Sequence, residues 1–405
     1  MNDLEKHPCL WYDKFKDNGE MFHNCLPKGL GLVFELFGNV LNLEWKMVVM
    51  WVIGAVLIYL AIKREMEPTL LLPIGFGSIL VNLPFSGAIT QMYDSGVEEG
   101  ILDVLFGTGI ANELFPLLLF IGIGAMIDFG PLLANPKLMF FGAAAQFGIF
   151  FAFSLAAFVG FDIKDAASIA IIGAADGPTS IFVANYLKSN YIGPIIVCAY
   201  SYMALVPIIQ PPFIKMCTTR KERLIRMSYK AKEVSRLTRI LFPIVITIIT
   251  GLVSPRSISL IGFLMFGNLL RECLVLDSLS NSAQKVLANL ITLILGITIA
   301  SRMRADEFLA KETLIILCLG LVAFIFDTIG GVLFAKFINL FLKQKINPMI
   351  GAAGISAFPM SARVVHKLGL EEDNQNFLLM HSTGVNVSGQ IASVIAGGLI
   401  LNLVG

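Results

Sequence analysis

The chain reads as an all-α polytopic membrane protein, with an inverted repeat, two broken or re-entrant helical hairpins, and a transporter-like core carried on a scaffold. Three observations predict this: a composition too apolar for water, repeated stretches of spanning length, and two Gly/Pro-interrupted segments that resemble each other. Of 405 residues, 56% are hydrophobic and 15% charged, with a mean hydropathy of +0.78, whereas a soluble domain carries about 25% charged residues. About 20 mostly apolar residues cross the roughly 30 Å hydrocarbon core, and such stretches recur from Met47 to the last residue.

The elements follow in order. Residues 1–28 are a polar leader; MNDLEKHPCLWYDKFKDNGE mixes both charges and shows no signal peptide. Gly29 to Leu43 is amphipathic and suits the membrane interface, Met47 to Ile62 is the first span, and residues 29–110 form an N-terminal scaffold. Later apolar segments cover residues 71–90, 114–127, 137–160, 166–187, 191–216, 240–253, 257–270, 286–300, 313–341, 348–365 and 376–404. They group into a first membrane repeat (111–216), a loop (217–239), linking scaffold segments (240–285) and a second repeat (286–405). Thr218 to Arg239 holds Arg220, Lys221, Arg223, Arg226, Lys230, Lys232, Arg236 and Arg239 against Glu222 and Glu233, so the positive-inside rule makes this loop cytoplasmic. Counting outward puts the C-terminus outside and 366–375 inside, with Arg302, Arg304 and Lys311 on the outer side against the rule.

The two repeats align without a gap. Gly173-Ala-Ala-Asp176-Gly-Pro178-Thr-Ser180-Ile-Phe-Val183 lies on Gly354-Ile-Ser356-Ala-Phe-Pro359-Met-Ser361-Ala-Arg363-Val364 at an offset of 181, with Gly, Pro, Ser and Val in register, and the same offset lays Ser201 on Ser382. If 166–187 turns back instead of crossing, an odd number of spans separates the copies and the repeat is inverted. Gly173, Gly177 and Pro178 favour turning back, because freed backbone groups at membrane depth are tolerated only around a protein-lined cavity.

Composition and motif spacing exclude several chemistries. A net charge of +1 offers no basic footprint for nucleic acid. Cys9, Cys25, Cys198, Cys217, Cys273 and Cys318 form no CxxC pair and read as small apolar residues, while His7, His23, His366 and His381 lack metal-site spacing. The informative residue is Asp176, an ionisable group in mid-segment, where insertion costs about 2.5–3.5 kcal/mol. Exposed carbonyls around the glycines and Pro178, with the hydroxyls of Thr179 and Ser180, make it a site for a small hard cation; Na⁺ and H⁺ would compete for it. The structural alternative is a carboxylate satisfied by a helix terminus or an Arg. The second broken segment carries no acid: Asn347 and Ser356 offer neutral oxygens, and Arg363 either meets an anionic substrate or snorkels to the surface. A third cluster, Ser382-Thr-Gly-Val-Asn386-Val-Ser388-Gly389-Gln390 with Ser393, interrupts the last apolar helix. Tyr200 and Tyr202 are mid-segment phenols fit for proton relay, whereas Asp128 and Asp327 read as solvated or helix-capping.

The run Gly173-Ala-Ala-Asp-Gly-Pro-Thr-Ser-Ile-Phe resembles the β subunit of the Na⁺-transporting carboxylic acid decarboxylases, the oxaloacetate, glutaconyl-CoA, methylmalonyl-CoA and malonate enzymes. The likeness extends through Pro73-Ile-Gly-Phe-Gly, Ile355-Ser-Ala-Phe-Pro-Met-Ser-Ala-Arg and Asn376-Phe-Leu-Leu-Met-His. This resemblance implies a multi-pass protein of the bacterial inner membrane that accepts carboxybiotin from a partner, releases CO₂ and couples this by alternating access to Na⁺ export, with one proton consumed. No biotin would be carried on this chain. Implied partners are a carboxyltransferase α subunit, a biotin carrier protein, a small γ/δ membrane subunit, the lipid bilayer and further copies of the chain. Implied catalytic residues are Asp176, Tyr202 and Arg363; implied Na⁺ ligands are Asp176, Asn347, Gly351 and Ser356, to which the cluster in the last helix adds Asn386. Ser180 and Ser361 stand where relatives often carry alanine, and Gly384-Val-Asn386-Val-Ser388-Gly-Gln390 departs from the family pattern. The residues alone equally suit a secondary Na⁺/H⁺ antiporter or a Na⁺-coupled carboxylate symporter, which would lack a biotinylated companion.

Overall fold

The computed structural model describes residues 38–93, 96–228 and 234–405. The leader, Cys9, Cys25, His7, His23 and most of the interfacial segment therefore lie outside the described residues. In chain order the helices are α1 (Trp45–Lys63), α2 (Pro68–Val81), α3 (Leu114–Met126), α4 (Pro136–Val159), α5 (Ile163–Ala170), α6 (Gly177–Tyr186), α7 (Ile192–Cys217), α8 (Arg236–Val253), α9 (Ile258–Glu272), α10 (Asp277–Arg302), α11 (Lys311–Phe341), α12 (Met360–Glu372) and α13 (Leu379–Val404). Seven of them are long and apolar enough to cross a membrane, and the bent pair Ile101–Ile110 and Leu114–Met126 makes an eighth. Helix is what such sequences must form in lipid, because only there does each backbone group find its partner within the segment. The strands among the described residues are one short antiparallel pair, Gln91–Tyr93 with Gly96–Glu98. The protein is an all-α, multi-pass membrane protein.

Burial sorts the spans into periphery and centre. Only 11% of the apolar window of α8 and 22% of that of α1 is buried, against 67% for α13. Exposed Ile248, Leu252 and Val253 on α8 are thus a lipid-facing surface, while α13 is wrapped by protein. Lipid supplies no hydrophobic drive between helices, so the centre depends on small residues that let backbones touch. A Cβ on Gly351 would lie 2.0 Å from the carbonyl oxygen of Gly331 on α11, and one on Gly389 of α13 would lie 2.2 Å from that of Gly354.

Two segments turn back on themselves. The first runs through α5, a 3₁₀ turn Ile171–Ala174 and α6, with Ala175 in the left-handed region at φ +51°, a conformation costing a non-glycine residue about 1 kcal/mol or more. Its two ends are tied together: the carboxylate of Asp165 accepts from the Ser189 hydroxyl at 2.7 Å and from the Asn190 backbone N–H at 2.9 Å. The second begins at Asn347, continues as a 3₁₀ segment Pro348–Gly354, loses helical form from Ile355 to Pro359 and leaves as α12. Its ends are tied as well, since the side-chain amides of Asn347 and Asn376 both donate to the carbonyl of Arg223, each at 2.8 Å. The two tips meet, with the Ser356 N–H donating to the Ala174 carbonyl at 3.1 Å.

Several expectations change. The span placed at 286–300 runs from Asp277 to Arg302, and the span placed at 137–160 is interrupted at Gln146, between helical Met139–Ala145 and Phe147–Val159. Cys318 is exposed on the apolar outer surface instead of buried. Asp327 is fully buried at the middle of α11, not at a segment end, because the span extends fourteen or more residues to either side of it. Two of the basic residues near 302 are met by acids: Arg302 lies 3.9 Å from Asp103 and over the ring of Phe106, and Arg304 lies 3.9 Å from Glu307, while the neighbouring Asp306 lies 2.8 Å from Lys46 of α1.

Candidate functional site

Asp176 lies at the break of the first hairpin and is 3% exposed. Glycine and proline at the next two positions start α6, and Asp176 becomes its N-cap. Its Oδ2 accepts from the Thr179 hydroxyl at 2.6 Å and from the Ser393 hydroxyl at 3.1 Å, and its Oδ1 faces the Thr179 N–H at 3.5 Å. The carbonyl of Asp176 takes the Ser180 hydroxyl at 2.9 Å. The α6 N-terminus adds roughly half a positive charge beside the carboxylate, and no Arg, Lys or His among the described residues forms an ion pair with it. The helix-terminus half of the structural alternative is therefore present, while the arginine half is absent among the described residues.

α13 supplies the other wall. The Asn386 amide donates to the Ile355 carbonyl at 2.7 Å, the Gln390 amide donates to the Ser356 carbonyl, and the Ser356 hydroxyl donates to the Gly389 carbonyl at 3.3 Å. The side-chain oxygens of Asn386 and Gln390 are buried and find no partner among the described residues. A carboxylate and two hydroxyls meet at the junction of the hairpins, and two side chains with free amide oxygens are held at the same junction, oxygen donors of the hard kind that oxygen-seeking cations require.

The other expected residues separate. The Asn347 Oδ1 accepts from the Met349 N–H at 3.1 Å and its amide holds the carbonyls of Arg223 and Ile225, so its polar atoms are spent capping the 3₁₀ segment and fastening the basic loop. Gly351 is pressed against Gly331 of α11, a packing role. The Tyr202 hydroxyl donates to the Leu317 carbonyl of α11. Tyr200 is the phenol beside Asp176 in the fold: a Cβ on Gly177 would lie 2.3 Å from its ring, and its buried hydroxyl has no partner among the described residues. Arg363 is exposed near the start of α12. In the α1–α2 connection burial pushes the Glu67 carboxyl up, and the charge of Arg363 opposes that rise. Asp128 is at the surface, 3.6 Å from Arg239 and 3.9 Å from Arg271.

Ser393 went unassigned as a partner of the acid, although the sequence holds a signal for it: residues 382, 386, 390, 393 and 397 recur at helical spacing and define one polar or small face of α13. Gly397 on that face packs against Thr179, with a Cβ there only 3.0 Å from its methyl.

The chain matches, over residues 46–404, the family described as the Na⁺-transporting oxaloacetate decarboxylase beta subunit. It belongs to that family. Among relatives it is 48% identical to the methylmalonyl-CoA decarboxylase subunit beta of Propionigenium modestum, covering 88% of this chain and 95% of the relative. It is 48% identical to the glutaconyl-CoA decarboxylase subunit beta of Acidaminococcus fermentans, covering 89% and 94%. With the oxaloacetate decarboxylase beta chain of Klebsiella pneumoniae it shares 42% identity over 94% of this chain and 98% of the relative. The resemblance drawn from residues 173–182 is thus a family membership, and the match runs from residue 46 to residue 404 of the 405.

Proposed function

We propose that this β subunit couples the decarboxylation of carboxybiotin, presented by a separate carrier protein, to Na⁺ export across a bacterial inner membrane, with one proton consumed. The observation that carries the reading is the junction at Asp176: one carboxylate at the contact of two broken helices, surrounded by hydroxyl and amide oxygens and by no cationic side chain among the described residues. Na⁺ is the cargo, bound by Asp176 with Thr179, Ser393, Asn386 and Gln390. Carboxybiotin supplies the carbon–nitrogen bond that breaks, and exposed Arg363 is the cation offered to its carboxylate. Tyr200, and Tyr202 further along α7, are the phenols available to pass a proton.

The two hairpins form an inverted repeat in this reading, each returning to the face it came from and the two starting on opposite faces. Alternating access follows from sliding the pair within the scaffold. Each charge moved through the field gains or loses about 2.3 kcal/mol per 100 mV. The basic loop 218–239 faces the cytoplasm and Gly405 the outside; external labelling of a cysteine placed at 228 in intact cells would overturn that orientation.

The decisive test is Asp176→Asn in proteoliposomes assembled with the carboxyltransferase, biotin carrier and small membrane subunits. The variant keeps shape and one oxygen but loses the charge, so Na⁺ uptake and Na⁺-dependent decarboxylation should vanish while the protein still inserts. Pumping at unchanged rate and affinity would make Asp176 structural.

A further inference from the structure

The second buried acid of the centre, Asp327, has no place in the mechanism proposed above. It is 0% exposed in the middle of α11, and its Oδ1 accepts from the Ile149 N–H at 3.2 Å, capping the half of α4 that restarts after Gln146. Its Oδ2 is buried without a partner among the described residues. That oxygen is aimed at the first hairpin, where a Cβ on Gly173 would lie 2.8 Å from it.

The repeat sharpens this placement. The offset of 181 that lays Gly173 on Gly354 also lays Gln146 on Asp327. Gln146 reaches toward the carbonyl of Gly354 at 3.5 Å, and its own Oε1 is likewise buried without a partner among the described residues. Each hairpin therefore has its pivot glycine against a polar side chain of the other repeat, an amide on one side and a carboxyl on the other. An amide there is neutral by nature. A carboxyl with one oxygen free in a buried site is neutral only if it carries a cation, because no Lys, Arg or His among the described residues pairs with it.

We infer that Asp327 is a proton-binding site: its Oδ2 holds a proton while the first hairpin rests on it, and exchanges that proton with water when the hairpin moves away from α11. A proton needs only the one oxygen that is free, whereas a hard metal cation gathers about six. The step is Asp327–COO⁻ plus H⁺ giving Asp327–COOH, with water as donor and acceptor. Ionisable groups on the elements packed around α11 are Asp176 in the break, Lys164 and Asp165 on α5, Cys198, Tyr200, Tyr202, Lys215 and Cys217 on α7, and Asp306 and Glu307 on the short helix Ala305–Phe308; helical residues 139–159 of α4 and the segment Pro348–Gly354 contain none. Lys215 and Lys336 lie toward the far end, paired with Glu371 and Glu222. Exchange on movement rests on the alternating-access reading; protonation at rest does not.

The test is the infrared spectrum of the purified full chain in lipid vesicles with saturating Na⁺ and no turnover, read at the carboxylic-acid carbonyl band. The band should be present in the unaltered protein and in Asp176→Asn, and its Asp327 component should disappear in Asp327→Asn, which keeps the cap on Ile149. An unchanged band in Asp327→Asn overturns the proposal, as does its removal by Na⁺ alone, which would make Oδ2 a Na⁺ ligand. If Asp327→Asn fails to insert, Asp327→Glu gives the same reading: a shifted band supports the proposal and an unshifted one overturns it. Because no transport is measured, loss of Na⁺ pumping in a separate assay bears on the proposed function and leaves this result standing.

Discussion

The two broken hairpins share a backbone logic and differ in chemistry. The first carries Asp176 at its tip, answers it with Thr179 and Ser393, and lies against a second carboxyl on α11. The equivalent positions of the second are Ala357 for the acid, Met360 for the threonine and Gln146 for the facing carboxyl. Its exposed carbonyls are taken by the amides of Asn386 and Gln390, and its outer end is fastened by Asn347 and Asn376. The buried carboxyls gather at the first hairpin, Asp176 on it and Asp327 of α11 against it, while the second keeps similar bends and uses neutral hydrogen bonds to hold them. The lesson is that a broken helix at membrane depth needs partners for its backbone in either case, whereas a buried carboxyl is an addition made at the first hairpin's tip alone.

Moving the acid breaks that comparison most severely. Asp176→Ala combined with Ala357→Asp puts the carboxylate on the other tip, where no threonine follows it, so Na⁺ transport in reconstituted vesicles should be absent; recovery would make the hairpins interchangeable. Next in size is Gly351→Ala. Backbone stands on both sides of that contact, so the added methyl must separate the second hairpin from α11, with a stability loss of about 1–3 kcal/mol or more in detergent melting curves. A smaller effect distinguishes the two serines of the junction. Ser393→Ala deletes a hydroxyl bonded to Asp176 and should weaken Na⁺ affinity by about 1 kcal/mol, roughly fivefold, while Ser356→Ala, whose hydroxyl reaches only the Gly389 carbonyl at 3.3 Å, should weaken it less. Equal effects would show that Ser356 turns toward the ion.

The smallest effect concerns the fastening of the second hairpin. The hydrogen bond from Arg226 to Asp373, with one from the Gln375 N–H, holds that carboxyl below its usual range. Burial raises Glu222, but the bonds from the Thr219 backbone and hydroxyl and from Lys336 outweigh it, so its net shift is also downward. Carboxyls with depressed folded values stabilise fully above their unfolded pKa of about 4 and lose that contribution as pH falls through the lower folded values. Hydrogen exchange of residues 219–226 should therefore be slow at neutral pH and quicken only as acid is added below about pH 4. Quickening at a pH well above that would assign the fastening to other groups.

Much of this was legible in the sequence, and the failures have physical causes. Apolar length and Gly/Pro interruption located the seven long spans and both hairpins, because the bilayer imposes those constraints on the chain directly; the Ile101–Ile110 half of the bent pair was missed. Asp176 stood out for the same reason. Gly351 enters as an ion ligand through the family resemblance alone and Asn347 through it and its neutral oxygen; a 3₁₀ segment of seven residues turns both toward the basic loop and α11, which the sequence did not show. Tyr200 and Tyr202, two residues apart on a helix, point to different neighbours, and spacing alone does not say which neighbour holds the acid. Asp327 reads as solvated or helix-capping although its apolar segment, 313–341, already places it near the middle; the residue does cap, but the helix it caps is the restarted half of α4 and not its own.

The carbonyl of Arg223 is held from both sides, by Asn347 where the second hairpin departs and by Asn376 where it returns. A single peptide group thus acts as the drawstring of that hairpin. The side chains of Arg223 and Arg226 grip the end of α12 at Glu372 and Asp373, while Arg220 stands largely in the open. Anything that tugs on this stretch of loop pulls on both legs of the hairpin at once, and so on the Ser356–Ala174 contact at its tip. Communication between that surface and the ion junction then requires no long chain of side chains: it is a lever one hairpin long, with its handle outside the lipid.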